Sequence, residues 1–203
     1  TTLAVAGNVD FNGDLDVDGT TNLDVVDVDG AVNFAADVTF ADGADIITAS
    51  AGTSNFRAGV NAGNSIESGG NYNVLVGDEA GTALTTGDNN VALGYKALFT
   101  EDTGNRSVAI GDFSLQNQNN ADSNYNVAVG YNSGLSITTG TINTLIGGLA
   151  GDALTTGNSN VAVGYQALSA DTTGDRSTAL GFQTLTNQNF TSNTDTYNTA
   201  VGY

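Results

Sequence analysis

The sequence lacks five residue types altogether and is poor in bases. It has no Cys, His, Met, Pro or Trp among 203 residues. Without Cys there are no disulfides and no thiolate metal ligands, and without Cys and His the common nucleophile–base triads are excluded. No run of 18 apolar residues occurs, so we expect no membrane insertion in this segment. The chain starts at Thr1 without an initiator Met, and we expect it to be an internal piece of a longer protein.

Charge is strongly one-sided. Four Lys and Arg stand against 22 Asp and Glu, which gives a net charge of -18. Phosphate binding needs clustered bases, so the sequence predicts that nucleic acid is not a partner. Acidity of this kind is typical of a chain that stays soluble and resists nonspecific association, although recognition by the acids is an alternative.

What the sequence has in abundance is a repeat. A five-residue phrase of the type Asn-Val-Ala-Val-Gly recurs eight times from residue 73, with steps between glycines of 17, 17, 19, 17, 17, 17 and 21. The first three signature glycines match three later ones at an offset of 70, so a block of about 70 residues has been duplicated. The residues that we expect to be structural in this repeat are Asn73, Gly77, Asn90, Gly94, Gly111, Asn126, Gly130, Asn143, Gly147, Asn160, Gly164, Gly181, Asn198 and Gly202.

Each phrase has the pattern of a short β-strand. It alternates, it is rich in β-branched residues and it ends in Gly. We expect a second short strand after the Gly, as in Tyr95–Leu98, and polar turns between them. About seventeen residues with two strands and two turns make one coil of a parallel β-roll, and coils stack at roughly 4.8 Å. The recurring Asn should then form a hydrogen-bonded ladder, and the recurring Gly a tight corner.

The first 50 residues follow another pattern. Apolar residues alternate over short Gly-bounded stretches, with ten acids and no bases. Such a pattern predicts a thin β shaft of intertwined chains, because a lone chain would expose apolar strand edges. We therefore divide the chain into an acidic shaft at 1–50, a transition at 51–70 and eight repeat coils at 71–203. The fold class predicted is all-β: a fibrous parallel β-solenoid with an N-terminal shaft.

One segment of the shaft resembles a calcium loop. Asp14, Asp16, Asp18 and Gly19 give the opening D-x-D-x-D-G, but Val25 stands where the closing Glu should be. The same acids also fit the outer face of a strand. We expect no cofactor overall, and Ca²⁺ at this place is the alternative.

The repeat resembles a known family. The phrases Ser107-Val-Ala-Ile-Gly111 and Asn160-Val-Ala-Val-Gly164 are similar to the signature of the YadA-type head of trimeric autotransporter adhesins. The resemblance covers roughly residues 71–203 and implies a left-handed parallel β-roll with three chains side by side. Family coils are nearer fourteen residues, so the turns here are longer. The stretch Gly13–Asp24 looks like shaft sequence of tail-fibre proteins from tailed, particularly marine, phages.

Two coils are longer than the others, and their extra residues fall in the ranges 116–125 and 186–197. Loops inserted on one face of a solenoid commonly carry binding, although an inert solvated turn fits as well. The residues that we name as a receptor surface are Asn117, Asn119, Asn120, Asn187 and Asn189.

Tyrosines and arginines also recur. A tyrosine follows the signature Gly at Tyr95, Tyr131, Tyr165 and Tyr203. These rings could stack on sugars. We favour a structural ladder, because the ring of a tyrosine often packs against its neighbours while its hydroxyl remains exposed to solvent.

Arg106 and Arg176 occupy equivalent places in the duplicated block. We expect them to pair with nearby acids such as Asp102 and Asp175, as a modest surface contribution.

A functional expectation follows from these patterns. A narrow roll of Ala- and Val-rich coils has a long apolar side, which three-fold association would cover. We expect a homotrimeric fibre segment that is extracellular or part of a virion, such as a phage tail fibre. We also expect it to bind a receptor on a host or other cell surface, and a glycan is one candidate for that receptor. The alternatives are the head of a bacterial adhesin and, less favoured, a glycan-cleaving spike. No residue is named as catalytic, since no acid stands out from the solvated background.

Overall fold

The computed structural model describes Val32, residues 50–121 and residues 123–203 of the chain. Two compact units are distinguished, Thr1–Asp45 and Ile46–Tyr203, and every described residue except Val32 belongs to the second. The predicted shaft and the acids Asp14, Asp16 and Asp18 lie outside the described residues.

The described chain is an all-β parallel solenoid of about nine coils. Its strands are β1 Phe56–Ala58, β2 Val74–Val76, β3 Val91–Leu93, β4 Val108–Ile110, β5 Val127–Val129, β6 Thr144–Ile146, β7 Val161–Val163, β8 Gly174–Asp175, β9 Thr178–Leu180, β10 Thr194–Asp195 and β11 Thr199–Val201. Nine of these form one sheet in the order β1-β2-β3-β4-β5-β6-β7-β9-β11. The pair β8 and β10 forms a small second sheet. The predicted solenoid is confirmed.

All neighbours in the large sheet are parallel and in register, one coil apart. Val91 lies opposite Val108, and Ala92 lies opposite Ala109. The central residue of each large-sheet strand from β2 to β9 points into the coil and is fully buried, as at Leu75, Ala92 and Leu145. Small central residues allow the facing side of the coil to approach closely, so each coil is narrow. At about 4.8 Å per coil, nine coils span roughly 43 Å along the solenoid axis.

The solenoid begins one coil earlier than the repeat predicted. Strand β1 lies in the range 51–70, which the sequence assigned to a transition, and it pairs in register with β2. Asn55 and Gly59 occupy the places of the signature Asn and Gly around it. The phrase between them, Phe-Arg-Ala, departs from the consensus, which is why the period did not reveal this coil.

The second strand predicted after the signature Gly is wrong. Residues 95–98 form turns instead, and Lys96 and Leu98 both have the left-handed φ of 54°. Their backbone N–H groups point in opposite directions along the axis, because Lys96 N donates to Asp78 O and Leu98 N to Ser114 O. Hydrogen bonds to the coils on both sides therefore offset the cost of a conformation that L residues rarely adopt.

Candidate functional site

The outward side of the large sheet is an apolar surface, here called the outer face. It consists of the first and third residues of each strand in that sheet, and every one of these positions carries an apolar residue or threonine. Several are well exposed, including Leu93 at 43% and Ile146 at 40%. The apolar side chains of the outer face are Phe56, Ala58, Val74, Val76, Val91, Leu93, Val108, Ile110, Val127, Val129, Ile146, Val161, Val163, Leu180 and Val201.

Inside the coils the signature asparagines form a buried ladder, which the sequence predicted. The backbone N of Asn90 donates to Asn73 Oδ1 at 2.9 Å, and Asn90 Nδ2 donates to Gly104 O at 2.9 Å. The same pair of bonds recurs at Asn143 and Asn160. Each of these asparagines thus bonds through its backbone N to the coil before it and through its side-chain amide to the coil after it, so the ladder fixes the register of the strands.

The signature glycines stand at the corner after each strand. Gly94 has a φ of 133°, and a Cβ there would lie 2.7 Å from the backbone carbon of Gly111. Both the conformation and the close approach exclude a side chain. The corner at Gly94 therefore combines a positive φ with a close backbone approach.

The two inserted loops lie where the sequence placed them. Glu101 and Gln118 are one regular coil apart, whereas Asn105 bridges to Ser123, so the extra residues of this coil follow Gln118. In the second long coil, Gly174 lies opposite Thr194, so the extra residues follow Gln188. Both loops project from the same corner of the solenoid, one block apart.

The asparagines named as a receptor surface differ in their hydrogen bonding. Asn117, Asn119 and Asn187 are exposed. Asn120 Nδ2 donates to Thr139 O at 3.2 Å, and Asn189 Oδ1 accepts from Thr172 Oγ1 at 3.2 Å. Asn189 is exposed as well, so four of the five side chains are presented to solvent, and the bonds of Asn120 and Asn189 help to hold their loops on the neighbouring coils.

A buried carboxylate lies beneath the first loop, and sequence reasoning missed it. Glu101 is fully buried, although the sequence analysis singled out no acid from the solvated background. Its Oε2 accepts from Gln118 Nε2 at 2.8 Å and from Asn124 Nδ2 at 3.0 Å, and its Oε1 accepts from Gly104 N at 2.8 Å. Asn120 N donates more weakly to Oε1, at 3.4 Å. Burial raises the pKa of the Glu101 carboxyl, against the opposing effect of these N–H donors.

The same arrangement recurs beneath the second loop. Asp171 is fully buried and accepts from Gln188 Nε2 at 2.6 Å and from Gly174 N at 3.1 Å. Phe190 N donates to it at 3.2 Å. Reading the sequence in columns 17 apart would have found both acids, because they stand where other coils have Leu84 and Leu154.

Serine completes each of these buried clusters. Ser107 and Ser177 stand at positions where other coils have the signature Asn. A glutamine amide occupies the space that the larger asparagine side chain would fill. Gln118 Nε2 donates to Ser107 Oγ at 2.8 Å while its Oε1 accepts from Asn126 Nδ2 at 2.7 Å. Glu, Gln and Ser therefore act together, and they anchor the inserted loop to the interior.

The predicted partners of the two arginines are wrong. Arg176 pairs with Asp195 on the next coil rather than with Asp175, and its guanidinium lies 5.8 Å from the Tyr197 ring centre. Within the described residues Arg106 has no ion pair with Asp102. It bonds to Ser123 Oγ and lies 5.7 Å from the Tyr125 ring centre. The inserted loops bring in these partners, which a reading of nearby sequence could not anticipate.

All four recurring tyrosines belong to an aromatic ladder. The rings of Tyr95 and Phe113 lie 5.2 Å apart, and those of Phe113 and Tyr131 lie 6.1 Å apart. A second run joins Tyr165 to Phe182 at 5.6 Å and Phe182 to Tyr203 at 5.2 Å. The two runs are separated at Gly148. The rings remain substantially exposed, so the ladder is both packed and accessible.

Two further findings concern ions and membranes. No cluster of three or more His, Cys, Asp or Glu that could hold a metal ion occurs in the part of the chain that the structure describes. Over residues 50–121 and 123–203 there is also no helix with the length and apolar character needed to cross a bilayer.

The comparisons with known proteins found no relatives. No protein-family model, no curated protein and no solved structure matches this chain. The geometry of the coils is therefore the basis for any functional proposal.

Proposed function

We propose that this chain is a segment of a homotrimeric fibre that extends from a virion or a cell, as a phage tail fibre does, and attaches to a host surface. The observation that carries the proposal is the outer face. It runs along the whole sheet without a charged residue, on a chain whose net charge is -18. Monomeric proteins rarely leave so long an apolar strip in water. Closed three-fold association would bury it in all copies alike.

The rest of the coil suits reach and display. The interior is bonded along the axis by asparagine side chains and by the backbone, which makes a stiff rod. Exposed asparagines, such as Asn119 in the first inserted loop and Asn187 just before the second, are presented to solvent. Attachment would come from several weak contacts on three identical chains, which add through avidity. The head of a bacterial adhesin would use the same surfaces in the same way.

A glycan-cleaving spike receives less support from the geometry. Cleavage needs two carboxyl groups that reach the sugar from either side. Glu101 and Asp171 are fully buried and occupied by N–H donors, so neither can contact a substrate.

The proposed association is tested by the mass in solution. We expect light scattering to give a mass near three times 20.5 kDa that persists across a dilution series. Leu93→Glu and Ile146→Glu place charges on the outer face and should lower the mass. Thr139→Glu, at an exposed position outside the sheet, is the matched control and should not. A wild-type chain that stays at 20.5 kDa at every concentration would refute the trimer.

A further inference from the structure

The outer face is bounded on both sides by a column of corner residues. The leading edge is the column of residues that directly precede the signature Asn positions, such as Arg106, which stands two residues before β4. The trailing edge is the column of residues that directly follow the signature Gly, such as Asp112, which stands two residues after β4. Because the strands stack in register, each coil adds one residue to each edge. The two edges therefore run along the outer face, one on either side.

The two edges carry opposite charges. In the described coils the charged residues of the leading edge are Arg106 and Arg176, which are two of the four bases in the chain. Those of the trailing edge are Asp78 and Asp112, and both are exposed. A chain with 22 acids and four bases would not place bases alone on one edge by composition. An apolar strip with a basic edge on one side and an acidic edge on the other is complementary to a second copy of itself in the same orientation.

Arg106 and Asp112 belong to the same coil, but the strand β4 separates them, so they flank the outer face from opposite sides. Within the described residues neither forms an ion pair. Arg106 donates to Ser123 Oγ, and Asp112 Oδ1 accepts from Tyr95 N at 2.9 Å. A guanidinium has five N–H donors and a carboxylate accepts up to about four hydrogen bonds, so each side chain has capacity for a further partner.

The leading edge also exposes large side chains beside the outer face. Those that are more than half exposed are Tyr72, Tyr125, Ile142 and Tyr197. Ile142 is β-branched and has the left-handed φ of 62°, a conformation that such residues rarely adopt. On the same coil, Leu149 lies next to the trailing edge. A neighbouring copy in the same orientation would cover Ile142 and bring an apolar residue, Leu149, towards it.

We propose that in the fibre the leading edge of each copy lies against the trailing edge of the next copy, coil for coil, with Arg106 of one copy facing Asp112 of the next. Rotation about a three-fold axis parallel to the solenoid moves no atom along that axis. Three outer faces turned towards the axis therefore bring a leading and a trailing edge together at the same height at each of the three junctions. The inference deepens the proposed function, on which it rests, because it specifies the contacts and the parallel orientation of the copies.

Disulfide trapping tests this arrangement, because the chain has no cysteine of its own. In Arg106→Cys/Asp112→Cys the two thiols of adjacent copies should meet, so oxidation should give a covalent trimer at three times 20.5 kDa on a denaturing gel. Each single variant should stay at 20.5 kDa. Arg106→Cys/Tyr165→Cys is the matched control and should stay there too. Its two positions lie three coils apart, roughly 14 Å along the axis, whereas a disulfide joins Cα atoms up to about 7 Å apart.

Charge reversal tests the same contact without cysteine. Asp112→Arg sets two arginines against each other, so it should lower the temperature midpoint of trimer dissociation by about 4 °C or more. Arg106→Asp/Asp112→Arg restores opposite charges across the junction and should recover at least about half of that loss. Light scattering during heating, at one protein concentration, measures both. The contacts of the two residues within their own chain stay lost in the double variant, so they cannot explain a recovery.

Four results would overturn the proposal: no cross-link in Arg106→Cys/Asp112→Cys, a dimer as its final product, equal cross-linking in the control, or no recovery in the charge-reversed double variant. Cross-linking of either single variant would also overturn it, because like edges meet only in an antiparallel pair. The mass of the wild-type chain decides the trimer separately. A trimeric mass without the cross-link refutes the edge contact alone, whereas a monomeric mass refutes both.

Discussion

Asn143 shows how one side chain connects three coils. Its Nδ2 donates to Asn126 Oδ1 in the coil before and to Gly157 O in the coil after, and its Oδ1 accepts from Asn160 N. All these groups are buried, so water cannot replace a lost partner. Removal of a single asparagine side chain should therefore destabilise the solenoid measurably.

We expect Asn143→Ala to lower the free energy of unfolding by about 2–4 kcal/mol, because Gly157 O and Asn160 N lose a buried partner. Urea unfolding at one fixed protein concentration measures it. Asn119→Ala, which removes an exposed loop amide, should change the value by less than about 0.5 kcal/mol. Equal effects of the two substitutions would show that the ladder carries no particular stability.

Two adjacent glycines should respond in opposite ways to the same substitution. In Gly147→Ala a Cβ would lie 2.6 Å from Gly164 O at a φ of 131°, so we expect a loss of about 3 kcal/mol. Gly148→Ala should be neutral or stabilising by up to about 1 kcal/mol, because it restricts only the unfolded chain. Thermal unfolding of both variants checks this. A strongly destabilised Gly148→Ala would mean that the fold requires glycine there.

At the scale of a coil, the Glu101–Gln118 pair replaces two apolar residues as a unit. Either partner alone would leave buried polar groups unpaired, whereas Leu84 and Ile137 in the neighbouring coils show that the interior accepts apolar residues at this position. We expect Glu101→Leu and Gln118→Leu each to cost about 3–5 kcal/mol. The double variant should cost at least about 2 kcal/mol less than the two single costs together. Simple additivity, measured by a double-mutant cycle in urea, would contradict the coupling.

The same carboxyl should make stability depend on pH. Burial raises the folded pKa of Glu101 above its unfolded value of 4.5, so the folded state holds this proton more tightly than the unfolded state does. This contribution to stability is fully present below pH 4.5 and is lost as pH rises through the folded pKa. As the pH falls from 7 to about 4, the free energy of unfolding of the wild type should therefore increase relative to that of Glu101→Gln. A difference that is constant across this range, or that moves the other way, would contradict the inference.

The sequence predicted the structural features that repeat at a fixed spacing. It did not predict the backbone and side-chain conformations that contacts with neighbouring coils determine. The period of 17 specified the strands, the asparagine ladder and the glycine corners, because each repeats the same local chemistry. The left-handed turns at Lys96 and Leu98 were missed because hydrogen bonds to adjacent coils hold them there. Glu101 looked like a solvated acid in its local sequence. Only the comparison with Leu84, the buried residue 17 positions earlier in the repeat, reveals that Glu101 points inward.

At the scale of the whole molecule, the solenoid has two kinds of long surface. The outer face is apolar and uncharged, whereas the corners carry the exposed rings and the inserted loops. In the proposed trimer the outer face is covered by other copies, and the receptor surfaces remain free. Association through the outer face would account for the absence of acids from that side of the sheet in the described coils.

Thiol labelling tests most directly whether the outer face is covered, because the chain has no cysteine of its own. Ile146→Cys places a thiol on the outer face, and Thr139→Cys places one on the solvent side. We predict that the thiol at position 146 reacts with a soluble disulfide reagent at least about tenfold more slowly than that at position 139, and that dilution does not remove the difference. Equal labelling rates at both positions would contradict the account, because the outer face would then be open to water.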